Sequence, residues 1–132
     1  MTSSQAVSPA DDPPEFLRAV LDGLTAHVCV LDEAGTIVEV NRAWREFGLA
    51  NGAADADAAA QIGRSYIAVC EQSARAPDIG PEFSAFLGHL HDVCAGRRSR
   101  FEFEYACHAP TEPRWFLARV SRIEGFVPPR IV

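Results

Sequence analysis

The chain contains no lysine: all twelve of its basic residues are arginine. That absence removes the Schiff-base lysine, the lysine general base and the lysine of a phosphate-binding loop. Cys-x-x-Cys pairs are also missing, because the four cysteines stand far apart at 29, 70, 94 and 107. There is no apolar run of membrane-spanning length and no secretory leader. Reduced thiols in a cytoplasmic setting are therefore expected rather than disulfides. Paired carboxylates, a metal-ligand cluster and a nucleophile elbow are absent too, so the chain is not expected to be an enzyme. A formal net charge of −6 argues against nucleic acid or an anionic membrane as partner.

What is present suits one globular domain. The 132 residues are 48% hydrophobic and 23% charged, enough for a single core. Residues 1–12, small and polar, read as a flexible tail, and 13–132 as one domain. Pro13 and Pro14 sit where a helix start tolerates them. Phe16, Leu17, Val20 and Leu21 then recur at helical spacing, predicting an amphipathic helix over 14–23. His27–Asp32 and Thr36–Val40 are β-rich runs joined by Glu33-Ala34-Gly35, a hairpin with glycine free to take positive φ. Asn41 caps a helix from Arg42 to Phe47. Residues 51–61 are alanine-rich without an apolar face, and propensity leaves loop and helix open.

Further along, Arg64–Cys70 is predicted as a short helix and 72–80 as a loop. The longest helix is expected over Glu82–Cys94, with Phe83, Phe86, Leu87, Leu90 and Val93 on one stripe and Gly96 ending it. From Arg98 to Ala106, Phe101, Phe103 and Tyr105 alternate with Arg100, Glu102 and Glu104, the pattern of a half-buried antiparallel strand. Arg114–Ile123 is the next strand, after a loop at 108–113. Arg130-Ile131-Val132 begins a last one that is short for a sheet member, as if the chain were cut at or inside it. The order contains no regular βαβ alternation. The expectation is an α+β fold: about five antiparallel strands, with short helices and one longer helix packed on one face.

The run from His27 to Trp44 resembles the opening of the PAS sensory family: strand, Asp32-x-x-Gly35 turn, strand with Ile37, then Asn41 and Trp44 entering a helix. Ile62-Gly63-Arg64-Ser65-Tyr66 is similar to a second PAS marker. Phe101–Arg119 looks like the paired late strands of a bacterial PAS subgroup, where a Tyr105-x-Cys107-His108 turn precedes Trp115-Phe116. The resemblance spans about 15–132. It departs at the close, since the chain ends before the Asp-x-Thr signal that usually leads to the next domain.

The resemblance implies recognition and relay rather than catalysis. Such domains lie upstream of histidine kinases, cyclic-dinucleotide enzymes or transcription regulators, so a C-terminal output domain of the same protein is an expected partner. A small-molecule ligand would sit between sheet and helices, lined by Val28, Val30, Trp44, Tyr66, Phe86, Leu90, Phe101 and Phe103, unless the aromatic mass packs that space shut. Phe16, Leu17, Val20 and Leu21 would meet a second copy in a homodimer. No cofactor is expected. Heme would need His89 or His91, which flank the apolar stripe at about 100° from Leu90. Flavin chemistry would need a reactive cysteine, and Cys70 lacks the context. Cys29 reads as a small buried hydrophobe. Cys107 and His108 with Cys29 and His27 form a conceivable zinc set, weakened because adjacent strand residues point oppositely. A ligand-free dimerisation module and a small α+β enzyme are the competing readings.

Overall fold

The computed structural model describes residues 14–75, 82–106 and 115–132. The tail at 1–12, most of the loop expected over 72–80, the loop at 108–113, Cys107 and His108 lie outside the described residues. The chain divides into two compact units, one of residues up to 28 together with 40–60, the other of 29–39 and 61–132.

The first unit holds α1 (Pro14–Gly23), α2 (Arg42–Ala50) and α3 (Ala56–Ala60). Pro14 opens α1, where its missing N–H costs nothing. Asp22, near the end of α1, accepts the first amide of α2 from Arg42 at 2.7 Å and pairs with Arg45 at 3.2 Å. α2 runs three residues past the predicted Phe47. Asn51 closes its last turn, with Nδ2 donating to the Phe47 carbonyl at 2.8 Å. Within 51–61 only α3 is helical, started by Asp55, whose Oδ1 accepts the Ala58 amide at 2.8 Å. Side-chain size then fixes where it lies. A Cβ on Gly48 would come within 2.8 Å of the Ala59 Cβ, so two small residues let the backbones approach.

The second unit is built on β1 (Cys29–Asp32), β2 (Ile37–Val40, of which Val40 belongs to the first unit), α4 (Tyr66–Ala74), α5 (Glu82–Cys94), β3 (Arg100–Ala106), β4 (Trp115–Ser121) and β5 (Arg130–Ile131). In the β1–β2 turn the Asp32 carboxylate accepts the Ala34 and Thr36 amides at 3.0 and 2.9 Å. Gly35 has φ +83°, and a Cβ there would lie 2.6 Å from Ile67 Cδ1, so conformation and space both demand glycine.

The five expected strands are present, but not as one uninterrupted sheet. They form a three-stranded sheet ordered β2-β1-β5 and a two-stranded β3-β4 ladder. The physical reason is the shortness of β5, two residues that cannot carry a full ladder on both sides. The two sheets meet at a single bridge between Arg122 and Ile131. Ser121 and Val132 exchange amide–carbonyl bonds of 2.8 and 2.9 Å beside it. The strands therefore follow one another as β2-β1-β5-β4-β3. Alternation in β3 is as predicted, and in its ladder with β4 Phe101 pairs with Val120 and Phe103 with Ala118, while Glu102 faces Arg119.

α4 starts at Tyr66, two residues later than predicted, because the backbone before it is used elsewhere. Residues 63–66 lie along the outer border of β2. Gly63 donates to Ile37, Ile37 to Arg64 and Tyr66 to Gly35, at 2.8, 2.9 and 2.9 Å. α5 has its predicted bounds and buries Phe86, Leu90, Val93 and Cys94; among the described residues, Leu31, Ile37, Cys70, Phe101 and Ile131 join them in the core of this unit.

Candidate functional site

α5 and β3 together carry a cluster of aromatic rings. The Phe86 ring centre lies 5.6 Å from Phe83, 5.7 Å from Phe101 and 5.6 Å from Phe103. The approach to Phe101 is edge-on, a favoured aromatic geometry. Of the eight residues predicted to line a ligand site, the second unit contains Val30, Tyr66, Phe86, Leu90, Phe101 and Phe103, and ring contacts join the three phenylalanines. Val28 and Trp44 belong to the first unit. There the Trp44 indole N–H donates to the Ala59 carbonyl at 3.1 Å, and the Val28 main chain is held by Asn41.

His89 is a member of this cluster that the sequence left at its boundary. Its ring lies 5.3 Å from Phe101 and 6.5 Å from Phe103, and its Nδ1 is 2.7 Å from Arg98 Nη1. The Arg98 guanidinium in turn stands 5.7 Å from the Phe101 ring centre. Arginine can only donate, so His89 Nδ1 accepts and the ring hydrogen sits on Nε2. A metal-bound histidine shows the reverse, with its second ring nitrogen donating outward. His91 is exposed. The signal that could have found the pair is the Arg-Arg turn directly after α5, which brings Arg98 back over the helix.

Burial governs the thiols. Burial pushes Cys29 from an ordinary 9.0 up to about 12, with the neighbouring Cys70 thiol adding to the rise. Cys70 is pushed to about 11, again by burial first, with a Tyr66 hydrogen bond pulling the other way. Neither is a nucleophile near neutral pH. Their folded values lie above the unfolded ones, so between pH about 9 and 12 the folded chain holds more protons than the unfolded chain. Stability is full below that window and falls as pH rises through it. Urea melts between pH 8 and 11 should show this decline, and a C29A/C70A double variant should show a flatter one. Equal slopes would contradict the burial of these thiols. Among the described residues no group of three or more histidine, cysteine or acidic side chains could hold a metal, and Cys107 and His108 lie outside them.

The Asn41 side chain is 0% exposed and fully engaged in hydrogen bonds. Its Oδ1 accepts the Val28 amide at 2.9 Å and the Trp44 amide at 3.1 Å. Its Nδ2 donates to the carbonyls of Leu21, Ala26 and Leu24 at 2.9, 2.9 and 3.3 Å. The predicted helix cap is thus also the knot tying α1, the strand entry and α2 together. By contrast, the predicted dimer residues Phe16, Leu17 and Val20 are 53%, 56% and 48% exposed, while Leu21 is half-buried. An open groove beside α1, lined by Glu15, Arg18, Asp22 and Arg42, combines two carboxylates with two guanidinium groups and has no net charge to select an ion.

Two antiparallel sheets whose strands follow one another as β2-β1-β5-β4-β3, with helices between β2 and β3 in the chain, make a PAS-like fold. The PAS domain of Bordetella pertussis BvgS superposes with a TM-score of 0.52 at 16% identity, over 89% of this chain and 79% of that one. At that identity the likeness speaks for the fold. In sequence the chain is 38% identical over 111 residues to an uncharacterized 104.1 kDa protein of Rhodobacter capsulatus, in the hypE 3′ region. The match takes in 84% of this chain and 11% of that protein, so the chain spans about a tenth of its relative's length. No family model matches the chain. No helix among the described residues is long and apolar enough to cross a membrane.

Proposed function

We propose that this chain is a sensory and relay module of a bacterial signalling protein, working by recognition and not by catalysis, in the cytoplasm. Its output would be a histidine kinase, a cyclic-dinucleotide enzyme or a transcription regulator in the same polypeptide. The PAS-like fold supports the module, and the much larger size of the Rhodobacter relative supports its operation beside other domains. The observation that carries the relay half of the reading is α1, a ten-residue helix with none of its residues buried and an apolar stripe uncovered. Apolar surface of that kind gains stability by meeting a partner, and we place a second copy there.

Light scattering over a range of concentrations tests this. The native chain should show a concentration-dependent dimer, and a V20E variant should remain a monomer with an unchanged melt. A native chain that is monomeric throughout would reject the arrangement. A ligand-free dimerisation module is the second reading, favoured by the close ring packing of Phe86, Phe101 and Phe103. Native mass spectrometry separates the two: a retained small molecule supports the sensor, and a bare mass the structural module.

A further inference from the structure

Arg122, just past the end of β4, reaches three separate parts of the second unit. Its Nη1 donates to the Val93 and Cys94 carbonyls in the last turn of α5, at 2.9 and 3.0 Å. Its Nη2 pairs with Glu33 in the β1–β2 turn at 3.1 Å. Its backbone N–H donates to Ser99 at 2.8 Å, and Arg122 forms the bridge with Ile131 that joins the two sheets. The Arg122 side chain is 18% exposed, so its bonds to the helix carbonyls are partly shielded from water, while the pair with Glu33 lies at the surface.

Each contact has a physical reason. The last carbonyls of a helix lack partners within it and carry partial negative charge, which a guanidinium complements. The α5 terminus folds back through Gly96 at φ +80°, with the Gly96 and Arg97 amides bonding the Val93 and Asp92 carbonyls. A side chain with a rigid fork of donors can serve a helix end and a carboxylate at once, which lysine's single ammonium does less well. Nearby, the Cys94 thiol, raised by burial, is lowered by Arg122 and raised by Asp32, which places all three groups in one neighbourhood.

Arg122 occupies the bridge with Ile131 at the centre of the short junction between the two sheets, flanked by the Ser121–Val132 and Ile123–Arg130 bonds, and its side chain grips the helix that buries Phe86 and Leu90. We infer that Arg122 is a positioning residue that couples the C-terminal end of α5 to the last strands, so that displacement of α5 is passed to β5. The coupling is a property of these contacts and does not depend on what, if anything, the aromatic cluster binds.

Hydrogen exchange on the full chain tests the inference, read at the amides of Ser121, Ile123 and Val132, whose bonds link β4 to β5. Val93→Ala serves as a control that loosens the same helix while leaving the guanidinium in place, and urea melts put the variants on one stability scale. In Arg122→Met, exchange at those three amides should rise about tenfold beyond that expected from the control at equal stability. Amides in the middle of the β3–β4 ladder should follow global stability alone. Arg122→Lys, the milder change, should give the same pattern at roughly threefold and decides the matter if the methionine variant does not fold. Uniform acceleration of all amides, or a lysine variant identical to the native chain at these three, would overturn it.

Discussion

Asn41→Ala is expected to lower stability by about 3 kcal/mol, a fall in melting temperature of about 10 °C. The cap bond to the Trp44 amide accounts for about 1 kcal/mol of that. The remainder comes from the Val28 amide and the Leu21 and Ala26 carbonyls, which lose a buried partner at about 1 kcal/mol or more each, offset in part by relaxation. A second variant separates the cap from the knot. Aspartate caps helices as well as asparagine does, so Asn41→Asp would be nearly neutral if capping were the whole role. Here it removes the Nδ2 donor and sets a carboxylate against three carbonyl oxygens. Asn41→Asp should therefore be at least as damaging as alanine in urea melts at neutral pH. A near-native aspartate variant would show that the donor bonds contribute little.

The other large effect is expected at Phe86. The side chain is 4% exposed and touches three other phenylalanine rings. Phe86→Ala should cost about 3–5 kcal/mol through lost burial and the cavity left among those rings. Phe86→Leu should cost about 1–2 kcal/mol because volume is largely kept. Phe103→Ala should cost less than Phe86→Ala, since Phe103 is only half-buried. Denaturant titrations of the three variants give the order. A Phe103 loss as large as that of Phe86 would mean that both rings lie equally deep.

Much of this architecture was legible from local pattern. The Asp32–Gly35 hairpin, α1, α5 with its exact bounds, and the alternation of β3 all follow from spacings of two or three to four residues. What was illegible depends on distant partners. Asn41 reads as a cap because Trp44 is three residues away, whereas Leu21, Leu24 and Ala26 lie 15 to 20 residues back. The insert at 51–61 shows no apolar stripe because α3 is held by a glycine–alanine contact and an indole hydrogen bond, neither of which has a period. The late start of α4 follows from pairing between residues 63–66 and β2. Arg122 was silent for the same reason: its role lies in Val93, Cys94 and Glu33, 28 to 89 residues away.

The ring cluster divides likewise. Phe86, Phe101 and Phe103 were visible as the inward faces of a helix and a strand, while His89 was visible only as a boundary residue. Its placement depends on where the α5–β3 turn carries Arg98.

The short stretch from Gly63 to Tyr66 has a consequence for assembly. By occupying the main-chain donor of Ile37 and the main-chain acceptors of Gly35 and Ile37, it denies an incoming polypeptide the unpaired backbone on which cross-chain β addition is templated. At those rungs the backbone is already paired, so an added strand finds no template there. Contact at those rungs is left to side chains, which a sequence can tune one residue at a time.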